Sequence, residues 1–236
     1  MASMHKPKIP KKYQPRGFEI LYEDQDLIIG NKAPGFLTVA ARWEKDNTIH
    51  NALNSYVRKG SSISKKCVYV VHRLDQATSG VLMFAKSEKV QFLLKENWPS
   101  TVKHYYVIVH GKMAEKSGLI TSYLTEDEDY KVHSTSDSEN GKLAKTEYNV
   151  VKETPHFSLL KINLLTGKKN QIRVHLADKG HPVVGDSKYG KDQENKQKQL
   201  MLHAFSLTFT HPFSQKRVRV QANIPDYFKR LVDYEY

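Results

Sequence analysis

VYVVHRLDQATSGVLMFAKS, residues 68–87, sets a polar turn between two apolar runs. Val68 to Val71 is rich in β-branched residues and predicts one buried strand; Val81 to Ala85 predicts another. Between them His72-Arg73-Leu74-Asp75-Gln76-Ala77-Thr78-Ser79-Gly80 is polar and ends in glycine. Such a turn holds one carboxylate, Asp75, at the lip of a sheet, with the Arg73 guanidinium two residues before it. Loops on rigid strands are where binding and catalytic residues concentrate. An aspartate in a turn is also a common backbone cap, so the turn alone leaves both roles open.

The surrounding chain has 236 residues, enough for one large domain or two small ones with a full core. No stretch approaches the roughly 20 apolar residues that a membrane helix needs. The basic N-terminus, MASMHKPKIPKKYQPRG, lacks the apolar segment of a secretory signal. A single cysteine, Cys67, forbids an internal disulfide and suits a reducing cytoplasm. The net charge of +12 favours a polyanionic partner, nucleic acid before an anionic membrane surface. Charge does not separate RNA from DNA.

Residues 1–16 are Lys- and Pro-rich and predict a flexible basic arm; 17–236 is left as one domain. Phe18 to Tyr22 and Asp26 to Asn31 predict two short strands, broken at Asn31-Lys32-Ala33-Pro34-Gly35. Asn47 is placed to cap a helix from Thr48 to about Arg58, ended by Gly60-Ser61-Ser62. Ser87 is placed to cap a second, from Glu88 to Asn97. Thr101 to Gly111, TVKHYYVIVHG, is a strand whose alternation puts Lys103, Tyr105, Val107 and Val109 on one face. Two antiparallel pairs are expected beyond it: Gly118 to Leu124 with Tyr130 to His133, and Ala144 to Val151 with Phe157 to Leu165. The acidic turn 126–129 lacks the spacing of a calcium loop, and the histidines show no metal-ligand spacing, so no metal is expected. A helix over Lys169 to Asp178 stops at Gly180, Lys191 to Gln199 is a polar loop, and strands at Leu202 to Phe209 and Arg217 to Gln221 precede a short terminal helix.

The word HRLD-x-x-TSG resembles the signature of the RluA family of RNA pseudouridine synthases. Two further blocks are similar to that family. DQDLIIGNKAPGFLTV, residues 24–39, is like its first motif, though Ala33 interrupts the usual Lys-Pro-x-Gly. LLTGKKNQIRVHLADKGHPVVGDSKYG, residues 164–190, is like its third, with Lys168 where Arg is usual and Asn170 where His is usual. The resemblance implies an α+β fold: a single pseudouridine-synthase-type catalytic domain, with a mixed, mostly antiparallel sheet flanked by helices and loops. It implies isomerisation of uridine to pseudouridine in an rRNA or tRNA loop, without cofactor. Asp75 becomes the catalytic residue, as nucleophile or as general base at C2′. Tyr105 stacks on the uracil, and Arg173 keeps Asp75 ionised. Arg73 fills the space of the flipped base, and Ile172 packs against it. RNA contacts fall to Lys32, Lys103, Lys168, Lys169, Asn170 and His72, the last with a structural role as its plainer reading. A cytoplasmic monomer with no obligate protein partner is expected. Taken singly, Tyr105 reads as a core aromatic and Arg173 as a helix residue with its head in water. Two other classes stay open: a non-catalytic RNA-binding protein, and a glycoside or nucleoside hydrolase, which ordinarily needs a second carboxylate.

Overall fold

The computed structural model describes residues 9–59, 61, 63–190 and 199–233. After a single 3-10 turn, Lys11–Tyr13, come β1 (Phe18–Glu23), β2 (Leu27–Lys32), α1 (Ile49–Arg58), β3 (Tyr69–Val70), β4 (Ser79–Ala85) and α2 (Glu88–Glu96). Then follow β5 (Val102–His110), β6 (Ser117–Glu126), β7 (Val132–Thr135), β8 (Lys142–Glu153), β9 (Phe157–Leu164) and α3 (Gln171–Asp178). The chain closes with β10 (Leu202–Thr210), β11 (Arg217–Gln221) and α4 (Asp226–Val232). The class is the expected α+β. Described residues up to Thr101 gather with Ser206–Ala222 into one compact unit, and Val102–Phe205 with the described residues from Asn223 onward into another. Among the described residues no helix is long and apolar enough to cross a membrane.

In the first unit β2 pairs antiparallel with β1 and with β4, and β3 pairs with the end of β4. All seven residues of β4 are buried, which is why its sequence is a continuous apolar run rather than an alternating one. Val81, Met83 and Ala85 join Leu27, Ile29, Val90, Leu94, Leu207 and Phe209 in one core. Phe84, on the opposite face, meets the Phe18 ring edge-on at 6.1 Å and stacks with His50 of α1 at 6.4 Å. The β4 strand is thus covered on both sides, and its N-terminal end carries the Asp75 loop. Gly80 closes that loop with φ of 115°, a conformation that costs any residue with a Cβ.

In the second unit the strands run β5-β9-β8-β6-β7, each neighbouring pair antiparallel. The alternation expected of β5 is present: Lys103, Tyr105, Val107 and Val109 are all buried. Helix α3 packs Val174 onto Leu124, Val132 and Ala144. It ends as expected at Gly180, whose N–H bonds Ala177 O while that of His181 bonds Leu176 O.

Several boundaries differ from the sequence reading. The cap of α1 is Thr48, whose hydroxyl accepts the Asn51 N–H at 3.1 Å; Asn47 is instead bonded through its own N–H to Glu44. Lys59, at φ of 51°, closes that helix. Only Tyr69 and Val70 of the expected strand form a ladder. The α3 helix begins two residues later than expected, because Asn170 takes the left-handed conformation at φ of 52° and cannot continue a helix backwards. Ile9 to Arg16, expected as flexible arm, is ordered where Gln14 donates to Ile9 O and accepts the Ile20 N–H. The rest of that arm, residues 1–8, and the loop at 191–198 lie outside the described residues.

Candidate active site

Asp75 stands half-buried in the first unit, between two residues whose backbones are tied down. On one side, the Thr38 hydroxyl donates to Leu74 O at 2.9 Å and accepts the Leu74 N–H at 3.1 Å. On the other, Gln76 O accepts from the Gly35 N–H at 2.8 Å and from Lys32 Nζ at 3.0 Å, and the Gln76 amide returns to Gly35 O. The Thr78 N–H bonds Asp75 O. Residues 33–38 are therefore a splint for the aspartate. His72 stiffens the entry: its Nε2 accepts the Met83 N–H at 3.1 Å, and its ring stacks on Trp98 at 4.5 Å.

Lys32 is the anchor of this splint, and its place corrects the sequence reading. Expected at an RNA phosphate, it is 0% exposed. Its ammonium donates to Ala33 O, Phe36 O and Gln76 O at 3.0, 2.8 and 3.0 Å, one carbonyl for each N–H. Burial pushes this lysine down to about 7, while the charge of Asp75 pulls the other way. Lys103 is likewise buried rather than presented to solvent, and burial lowers its pKa. Arg73, by contrast, is exposed.

In the second unit Arg173 is buried and makes a two-pronged pair with Asp186, Nε to Oδ2 and NH2 to Oδ1, both at 2.7 Å. Its guanidinium also lies over the Tyr189 ring at 5.1 Å. Asp186 reaches this position because residues 182–184 run beside β5, His110 N–H to Pro182 O and Val184 N–H to Ile108 O. Its Oδ1 then accepts the N–H groups of Lys188 and Tyr189. The sequence reading matched Asp186 to a motif but gave it no role; its spacing of thirteen residues from Arg173 was the available signal. Gln171 cross-braces the start of α3, accepting from Thr166 and the Lys168 N–H and donating to Lys145 O and Thr146. Ile172 and Tyr105 are both buried. Lys168 and Lys169 are exposed, but Lys169 is paired with Glu126. Asn170 is half-buried, its Oδ1 accepting from the Tyr189 hydroxyl at 3.2 Å.

His175, on the same helix, is a core histidine. Its Nδ1 meets Thr146 Oγ1 at 2.9 Å and its Nε2 meets Ser122 Oγ at 3.0 Å, bridging α3 to β8 and β6. Burial pushes it down to about 4, against the pull of Asp178. Since the folded value lies below that of a free histidine, the unfolded chain takes the proton first as the pH falls. The stabilisation is complete above about pH 6.5 and is lost progressively towards pH 4, about 2 kcal/mol of it by pH 5. Urea unfolding at neutral pH and at pH 5 should show that loss in the wild type and a shallower one in His175→Gln. An equal loss in both would assign it to another group.

Asp24, Asp26 and His211 form a cluster of potential metal ligands that sequence spacing did not disclose. The histidine's wiring argues for a strap instead. Its Nδ1 accepts the N–H groups of Phe213 and Ser214, so Nε2 carries the proton and donates to Asp24 Oδ2 at 3.2 Å. A metal on Nε2 requires that proton to move to Nδ1, where two donors already point.

Residues 26–178 match the family model described as RNA pseudouridylate synthase. The chain belongs to that family, whose members are isomerases acting on RNA. Of its curated relatives, ribosomal large subunit pseudouridine synthase D of Nitrosomonas europaea is 34% identical over 220 residues, covering 88% of this chain and 62% of that protein's length. Dual-specificity RNA pseudouridine synthase RluA of Vibrio cholerae is 32% identical over 219 residues, covering 91% and 83%. The fold matches the human RNA pseudouridylate synthase domain containing 4, with a TM-score of 0.74 at 24% identity and 90% of each chain covered.

Proposed function

We propose that this chain isomerises uridine to pseudouridine at defined positions of rRNA or tRNA, with Asp75 as its catalytic residue. The observation that carries the reading is the splinted loop: the backbone is held on both sides of Asp75, and an exposed arginine stands two residues away. Pre-organisation of this kind places a reacting group before substrate arrives. The N1–C1′ bond breaks, the uracil turns, C5 bonds to C1′ and the C5 proton is lost as N1 gains one. Atoms are rearranged and none is added, so no cofactor is called for. Asp75 acts on C1′ or C6 as nucleophile, or at C2′ as general base. Its target must first leave the base stack, and Arg73 occupies the vacated space. Tyr105 stacks on the uracil and assists loss of the C5 proton. Arg173 is assigned as the counter-charge of that carboxylate, a part for which a cation is suited. Ile172 packs against the base, and Lys168, Lys169 and Asn170 face the RNA backbone.

A relative named for the large ribosomal subunit supports rRNA as a substrate class, and one named for dual specificity supports action on more than one RNA. Such RNAs are met in the cytoplasm, and loops are favoured targets because their bases are already partly unstacked. RNA carrying C5-tritiated uridine provides the test. Wild type should release tritium to water while Asp75→Asn releases none. Binding without release would indicate a non-catalytic RNA-binding protein; free uracil as product would indicate hydrolysis.

A further inference from the structure

The loop between β2 and α1 carries a feature that the isomerisation chemistry does not use. Trp43 is 80% exposed. An indole left in water forgoes the stabilisation that burial of so large an apolar surface brings. It is not on a slack segment. Ala41 and Glu44 exchange both backbone hydrogen bonds, at 2.9 and 3.3 Å, so Arg42 and Trp43 form the two-residue tip of a tight turn. The Glu44 carboxylate accepts the N–H groups of Asp46 and Asn47, both at 3.0 Å, and the Asn51 amide donates to Lys45 O. Beyond the turn the chain is fastened to the splint, with Ile49 N–H on Leu37 O and His50 N–H on Thr38 O. The tip is therefore braced to the same residues that hold the backbone beside Asp75.

Exposed cations stand close in sequence: Arg42 precedes the indole and Lys45 follows it by two, with exposed Asp46 beyond, while the Glu44 carboxylate is engaged by the Asp46 and Asn47 N–H groups. Arg16, also exposed, acts electrostatically on Glu44 within the turn. Other large apolar side chains are exposed too, Phe92 among them, but that residue lies on α2 and not at a turn tip. A rigid aromatic face with flanking positive charge matches what an unpaired nucleobase and its phosphates require.

We propose that Trp43 is a stacking platform for an unpaired base of bound RNA other than the reacting uridine, with Arg42 and Lys45 contacting the adjoining phosphates. The proposal rests on the reading of the chain as an RNA-modifying enzyme. It selects single-stranded RNA over duplex, because a paired and stacked base offers no free face.

Titration of the full chain with a twelve-nucleotide single-stranded uridylate RNA, followed by tryptophan emission, tests it. Emission should fall in the wild type and not in Trp43→Phe, where only Trp98 emits. Trp43→Ala should weaken binding about tenfold, within the range found for loss of one base–aromatic stack. Trp43→Phe, which keeps an aromatic face, should stay within about threefold of wild type. A duplex of the same length should leave the emission unchanged. Absence of quenching by the single strand, equal quenching in Trp43→Phe, or unchanged affinity in a folded Trp43→Ala would each overturn the platform. Tritium release by the wild type separates the two readings. Release together with an indifferent Trp43→Ala sinks the platform alone, whereas quenching without release on any cellular RNA sinks the isomerase and leaves the platform standing.

Discussion

Replacing Lys32 by methionine is expected to lower stability by about 3 kcal/mol or more and to reduce kcat about 100-fold. Methionine retains most of the volume and apolar length, so packing is not the main loss. What disappears is the ammonium that joins Ala33 O, Phe36 O and Gln76 O. Gln76 O keeps the Gly35 N–H, but the carbonyls of Ala33 and Phe36 lose a donor in a place closed to water. Each buried polar group so abandoned costs about 1–3 kcal/mol. The loop can recover those bonds only by opening to solvent, and that releases the backbone on one side of Asp75. Urea unfolding and single-turnover kinetics at saturating RNA would measure both effects. A variant that unfolds at the wild-type midpoint, with full kcat, would show that the three-carbonyl anchor does not hold the loop. Were Lys32 a phosphate contact, the same substitution would raise KM and the salt sensitivity of binding while sparing kcat.

Asp186→Asn is expected to cost about 3 kcal/mol of stability and most of the activity, although Asp186 is not proposed to touch the substrate. The asparagine oxygen can still accept from the N–H groups of Lys188 and Tyr189, as Oδ1 does now. Its amide then faces Arg173 Nε, donor against donor, where Oδ2 had accepted at 2.7 Å. The Arg173 charge stays buried after its carboxylate has gone, and breaking one side of a buried pair is the costly case. A loosened guanidinium also serves poorly in the counter-charge role proposed for Arg173. A double-mutant cycle with Arg173→Met should return a coupling of about 2 kcal/mol or more. Independent effects would show that the pair is incidental to the placement of Arg173.

The elements that the sequence announces are those whose signal is local. The β4 run, the alternation in β5, the full span of β11 and the glycine stop after α3 all follow from side-chain period or backbone freedom within a few residues. The boundaries it misplaces are decided by competition between neighbours. Thr48 rather than Asn47 caps α1 because its hydroxyl is the one that reaches a free N–H. Part of the sheet order is local too, since the two expected pairs, β6 with β7 and β8 with β9, both form. That β5 takes β9 as its partner, and that β8 also takes β6, depends on contacts between segments further apart in the chain.

The site divides along the same line. Its chemical identity lies in short words of sequence: Asp75 with Arg73 in one block, Arg173 with Asp186 in another. The family match spans Arg73, Asp75 and Arg173 and ends at residue 178, before Asp186. Side-chain burial depends on what folds over a residue, and no stretch of sequence carries that. Lys32, flanked by a proline–glycine turn, reads as a solvated cation until residues 33–38 double back and present three carbonyls to it. The residues on which the proposed chemistry rests are thus written along the chain. Whether a given charge meets solvent or holds the backbone beside Asp75 is decided in three dimensions, because desolvation and hydrogen-bond geometry exist only once distant segments have met.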